Sequence, residues 1–169
     1  MRNDVTMMLF QYWNRLRDGR SAPRRTEIEP ADIKTLLADT FIIETDARGE
    51  AVFRLAGTRL CAVFGRELKG FAFTSLWAPK DQRVVARMMY GALHQGAVAV
   101  IELEGVSRNG RSLRFEMIAL PLESGDEGPR ALGSITSSER PYWLGADPVV
   151  ECKVESLRAV DPNLEPLYL

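Results

Sequence analysis

The sequence predicts an α+β fold built on an antiparallel sheet. Three observations carry the prediction: two pairs of strand-like segments each joined by a short Gly-containing turn, helical periodicity in the stretch between them, and an amphipathic helix ahead of both.

The elements follow in chain order. Across residues 5–17, Val5, Met8, Leu9, Tyr12, Trp13 and Leu16 recur at three- and four-residue spacing, which describes an amphipathic helix. Met7 and Phe10 lie outside that stripe, so the apolar arc is wide enough for the protein's own core and for a second, intermolecular contact. Gly19 is the expected stop. Three arginines, Arg20, Arg24 and Arg25, surround Pro23, and Pro30 opens a short helix bearing Ile33, Leu36 and Leu37. Residues 41–45 and 51–56 read as a hairpin across Asp46 to Gly49. Helical spacing returns with Leu60, Val63 and Phe64, which Gly65 closes; a turn at 74–77 precedes a longer helix at 80–94 with Val84, Val85, Met88, Met89 and Leu93.

The next hairpin can be placed in register. Residues 97–106 and 111–120 flank Arg108-Asn109-Gly110, and a three-residue loop with Gly110 at positive φ forms a bulged hairpin in which Ser107 faces Arg111. Leu103 then faces Phe115, Ile101 faces Met117 and Ala99 faces Ala119, so one face is uniformly apolar. On the other face Glu104 meets Arg114, Val100 meets Ile118 and Val98 meets Leu120, so that face turns apolar at one end and needs a cover. A two-residue Asn-Gly turn would scramble both faces. Residues 131–138 supply a last, small-residue strand with Ser134, Thr136 and Ser138 on one side.

Composition narrows the function classes. The 169 residues suit one domain with appendages, and 46% hydrophobic with 27% charged residues is ordinary for a folded protein. Lys+Arg 22 against Asp+Glu 23 leaves a net charge of −1, so no overall field draws the chain to nucleic acid or an anionic membrane. Two distant cysteines, Cys61 and Cys152, indicate no disulfide framework, and no apolar run is long enough to span a bilayer. The expected compartment is the cytoplasm, with no membrane partner. A catalytic constellation is also missing. His94 is the only histidine and falls in the last turn of a helix, where it serves as a C-terminal cation. Cys61 reads as a buried small hydrophobe, and neither a phosphate-binding loop nor a Cys-x-x-Cys pair occurs. The expectation is a protein that is not an enzyme and holds no metal.

Several motifs narrow the reading further. Tyr12-Trp13-x-x-Leu16-Arg17-x-Gly19-Arg20, Pro23-x-Arg25, Arg54-Leu55-Ala56-Gly57-Thr58, Phe64-Gly65-Arg66-Glu67-Leu68-x-Gly70, Leu76-Trp77 and Tyr142-Trp143-Leu144-Gly145 occur along the chain. With the element order, they resemble a group of stand-alone bacterial PAS-domain proteins, from Tyr12 to about Asp147. The resemblance implies a five-stranded antiparallel sheet with short helices on one face, and the amphipathic amino-terminal helix is expected to cover the other. It divides the chain into a helical cap at 1–40, a PAS core at 41–139 and a tail at 140–169. It also implies sensory or regulatory work through an unidentified signalling protein.

Two hypotheses follow. In one, a small apolar ligand sits under the sheet among Phe53, Leu55, Met88, Ile101, Leu103, Phe115 and Met117. In the other the same residues form a filled core and the protein is a pure interaction or dimerisation module. The cap and homodimer surface is expected from Met7, Met8, Leu9, Phe10, Tyr12 and Trp13 against Val98, Val100, Ile118 and Leu120, with Met7 and Phe10, joined by Tyr12 or Trp13, facing a second copy. No cofactor is expected. Haem-binding PAS sensors ligate iron through a histidine on the long helix, which makes His94 the residue to test. The flavin-adduct motif of light-sensing relatives, Asn-Cys-Arg-Phe-Leu-Gln, does not surround Cys61. Arg20-x-x-x-Arg24 is similar to the arginine motif of PilZ-type cyclic-dinucleotide receptors, but the accompanying Asp/Asn-x-Ser-x-x-Gly strand is lacking, and a cyclic-dinucleotide or nucleic-acid role for this segment is the weaker alternative.

Overall fold

A computed structural model describes residues 1–164. Three layers stack. The middle layer is a sheet of six strands, β1 (Thr40–Thr45), β2 (Ala51–Ala56), β3 (Val98–Ser107), β4 (Ser112–Leu122), β5 (Arg130–Thr136) and β6 (Val149–Val160), in the order β2-β1-β5-β4-β3-β6. Every neighbouring pair is antiparallel. Five strands were expected, and the sixth, β6, comes from the 140–169 tail and pairs along β3. Its inward residues Val149, Cys152, Val154, Leu157 and Ala159 are spaced unevenly because two register shifts interrupt the ladder. The regular alternation that marks a strand in sequence is therefore broken.

On the inner face lie α2 (Thr58–Phe64) and α3 (Gln82–His94), with 3₁₀ turns at Phe73–Leu76 and Pro79–Asp81. Gly65, at φ 68°, closes α2 by donating its N–H to carbonyls of the last turn. Helix α3 buries Val85, Met88, Met89, Ala92 and Leu93 against the sheet. The tail adds Trp143 to this inner core.

On the outer face lies α1 (Asp4–Arg17). Asn3 caps it, its side-chain oxygen accepting the N–H groups of Val5 and Thr6, and Asp18 ends it in the left-handed region at φ 47°, one residue before the expected Gly19. The short helix expected after Pro30 is two 3₁₀ turns, Pro30–Ile33 and Leu37–Asp39; Ile33 and, between the turns, Leu36 join the outer core while Leu37 is exposed.

The β3–β4 hairpin has the register derived from sequence. Ala99, Ile101 and Leu103 face Ala119, Met117 and Phe115, Glu104 faces Arg114, and Val100 faces Ile118. Gly110 stands at φ 82°, and Ser107 and Arg111 bond across the turn. Buried Asp147 braces that turn from the tail, accepting the Ser107 hydroxyl at 2.6 Å and the Asn109 N–H at 3.2 Å. Gly133 on β5 is required for a different reason: a Cβ there would collide with the Phe41 ring and the Ile118 carbonyl.

Candidate functional site

The inner face offers the first candidate. Phe53, Met88, Ile101, Leu103, Phe115 and Met117 are all buried and belong to one continuous core. Leu55 does not join them. It is 47% exposed, because β2 carries a bulge between its pairings with Ile42 and Ile43, and the extra residue, Arg54, turns Leu55 off the inner face. Rings in contact run through this layer, Phe41 to Phe53 at 5.7 Å, Phe53 to Phe73 at 6.0 Å and Phe73 to Trp77 at 5.8 Å between centroids. These are the spacings of packed aromatic pairs.

His94 is exposed at the end of α3 with its ring 4.4 Å from Tyr90. Cys61 is half-buried rather than buried; burial raises its thiol pKa, with Glu67 beside it adding to the effect. Cys152 is fully buried, and desolvation pushes its thiol far up as well.

The outer face is the second candidate. Leu9, Phe10, Tyr12 and Trp13 of α1 pack with Val98, Val100, Ile118 and Leu120, as the cap reading expects. The surplus arc does not face a second copy through Phe10, which is buried within its own chain. Residues 18–39 wrap back beside α1 and bring Ile33, Leu36 and Ala22 against it, covering the side that sequence left open. Met7 is half-buried, and Met8, placed in the cap stripe from spacing, is 49% exposed.

Polar bonds anchor both ends of α1. Trp13 Nε1 donates to the Pro121 carbonyl at 2.8 Å, and the Tyr12 hydroxyl accepts the Glu29 N–H at 3.0 Å while donating to Asp32 at 3.3 Å. Burial raises the Tyr12 pKa above 10.0, and neighbouring Asp32 adds to it. Arg17 lies over the Trp13 ring and donates to Asn163 at 3.0 Å. The Arg20–Arg25 segment is engaged internally: Arg20 pairs with Glu27 at 2.8 Å and Arg25 with Glu127 at 2.8 Å.

Sequence reasoning missed a buried carboxylate at the amino end of α1. Glu116 is 7% exposed and accepts the backbone N–H of Arg2 at 2.9 Å and of Asn3 at 3.1 Å. It lies directly opposite Glu102. The signal was present in the derived hairpin register, which sets these two like charges face to face. Across four strands one row of the outer face reads Ser156, Glu102, Glu116 and Thr136. On one side of it lies the row Arg158, Val100, Ile118 and Ser134, and on the other Lys153, Glu104 and Arg114. Beyond Asn3 the polar rows open into a groove of about 470 Å³.

The sequence matches the family model described as PAS domain over residues 1–136. The chain belongs to the PAS domain family. PAS domains are sensory modules that commonly mediate protein interaction, and several solved structures are similar to this chain at low identity. One, from a study of a flavin analogue in a light-oxygen-voltage domain, has TM-score 0.50 and 15% identity, covering 66% of this chain and 85% of the other. The PAS domain of an HTR-like protein from Haloarcula marismortui has TM-score 0.46 and 18% identity, covering 63% and 89%. A LOV protein from Rhodobacter sphaeroides has TM-score 0.49 and 14% identity, covering 68% and 71%. No curated protein matches the chain. Among the described residues no helix is long and apolar enough to cross a membrane.

Proposed function

We propose that this PAS domain is a non-catalytic regulatory module that works by contact with another cytoplasmic protein, with α1 on the outer sheet face as the element that changes state. The carrying observation is the contrast between its two faces. The inner layer is occupied by the protein's own rings and aliphatic side chains in mutual contact, which supports a filled core. The outer layer is less completely satisfied: the hydroxyls of Thr6 on α1 and of Ser134 on β5 are buried without a hydrogen-bond partner. Each such group costs about 1–3 kcal/mol relative to a satisfied one. A helix docked over them is held less tightly than its apolar contacts alone would suggest.

Self-association through α1 would have only exposed Met8 and half-buried Met7 as apolar contacts, whereas the core of a stable interface is rich in apolar and aromatic residues. The partner in this reading is therefore a different protein. A ligand under the sheet is the second reading, favoured by Trp77 Nε1, which is buried in the inner core without a partner.

Native-state hydrogen exchange tests the proposal. Amides of α1 are expected to open through a sub-global event well below the free energy of global unfolding, while those of β3 and β4 exchange only globally. If α1 amides exchange only by global unfolding, the helix is not a two-state element. Native mass spectrometry of the purified protein tests the interior: the mass of the polypeptide alone is expected, and a stoichiometric small molecule would move the function to the inner face.

A further inference from the structure

We propose that the groove beyond the amino end of α1 is a docking site for a basic segment of a partner protein, whose arginine or lysine side chains enter it. The proposal rests on the contact-based reading above and adds the partner's chemistry.

The lining is lopsided in charge. Glu102, Glu104, Glu116, Glu139 and Glu155 contribute five carboxylates, against the guanidinium groups of Arg2 and Arg114. Both cations are mostly solvent-exposed: Arg114 reaches Glu155 at 3.1 Å, and Arg2 lies 3.7 Å from Glu102. Glu116 is held by neutral backbone N–H groups, so its charge is not cancelled by a cation of its own. Like charges directly opposed on a sheet are unfavourable, and Glu102 against Glu116 is such a pair. A whole-chain charge of only −1 means that this acidity is local.

A second observation points into the same place. Thr136 lines the groove, stands in register beside Glu116, and is 6% exposed with its hydroxyl oxygen lacking any hydrogen-bond partner. A hydroxyl oxygen beside carboxylates is an acceptor set suited to the N–H donors of a guanidinium or ammonium group.

The geometry favours a chain over a free cation. Glu102 and Glu104 are two residues apart on one strand, about 7 Å, and adjacent strands lie about 4.8 Å apart. That grid of carboxylates suits basic side chains one helical turn apart, whose spacing is about 6 Å. The groove also lies beyond the amino end of α1, on outer-face rows that α1 leaves open to a partner segment.

The test measures fluorescence anisotropy of the intact protein with a labelled alanine-based peptide carrying arginine at every fourth position, beside the same peptide with glutamine there. Binding of the arginine peptide alone is expected. The Glu104→Gln, Glu139→Gln double variant should weaken it about tenfold or more, whereas Glu50→Gln, Asp126→Asn, which removes two exposed carboxylates elsewhere, should leave it unchanged. Thr136→Val should weaken binding without lowering the melting temperature, a separation that a purely structural threonine would not produce. If the first double variant does not fold, Glu139→Gln with Thr136→Val carries the comparison. Absence of binding, equal loss in both double variants, or displacement of the peptide by equimolar spermidine would each overturn the proposal, the last by pointing to a small polycation. The α1 exchange experiment reads separately, so globally exchanging α1 amides alongside specific peptide binding would remove the two-state helix and leave the groove.

Discussion

Replacing Glu116 with glutamine separates two opposing forces at the amino end of α1. The carboxylate accepts two backbone N–H groups, from Arg2 at 2.9 Å and Asn3 at 3.1 Å, in a buried position. Hydrogen bonds to a charged group contribute about 1.5–3 kcal/mol each. Glutamine keeps one acceptor oxygen and turns an NH₂ toward the other N–H, so one bond is lost to a donor facing a donor and the remaining one loses its charge. Against this, neutralising position 116 removes the repulsion from Glu102 directly opposite, which returns about 0.2–1 kcal/mol. The bonds win, and Glu116→Gln should destabilise the protein by about 1–3 kcal/mol. Urea denaturation should show a lower midpoint with an unchanged slope, and hydrogen exchange should show the loss concentrated in α1. Glu102→Gln is the control: it relieves the same repulsion and keeps both bonds. Its ion pair with Arg2 is 3.7 Å long with Arg2 86% exposed, so its removal should be neutral or slightly stabilising. An equally stable or more stable Glu116→Gln variant, with α1 protection intact, would mean that repulsion dominates and that α1 is held by its apolar contacts alone.

Three further outcomes are expected. Gly110→Val should lower stability by about 1–2 kcal/mol, because a β-branched residue is strained at positive φ and Gly110 sits at φ 82°; an unchanged melting temperature would point to a different turn. Met117→Ala, in the filled inner core, should cost about 2–5 kcal/mol, whereas Leu55→Ser on the exposed side of the β2 bulge should stay within about 0.5 kcal/mol; comparable losses would contradict the bulge. The raised Tyr12 pKa makes the folded state resist ionisation, so its contribution is fully present below pH 10.0 and declines as pH rises from there toward the folded-state value. Melting curves from pH 9 to 11 should fall more steeply for the wild type than for Tyr12→Phe, and parallel curves would refute the shift.

Elements whose signals are local can be read from the pattern of residues alone. The register of β3 against β4 follows from a period-2 apolar face and one turn glycine, because a slip by a single residue would move every apolar side chain to the wrong face. The amphipathic α1 and its placement over Val98, Val100, Ile118 and Leu120 follow in the same way, from an apolar patch that needed a cover. Where the regular periods break depends instead on long-range packing. Strand β6 carries two register shifts that scramble its alternation, and its pairing partner β3 lies far back in the chain. The β2 bulge turns Leu55 outward by one extra residue, and the fold of residues 18–39 beside α1 buries Phe10, which spacing alone leaves free for a second copy. The candidate site shows the same division. Glu102 opposite Glu116 is already implicit in the hairpin register, but the Arg2 and Asn3 amides that bind Glu116 are more than a hundred residues away. A hydrogen bond between such distant groups leaves no periodic trace in sequence, since its geometry exists only once the helix and the sheet have packed.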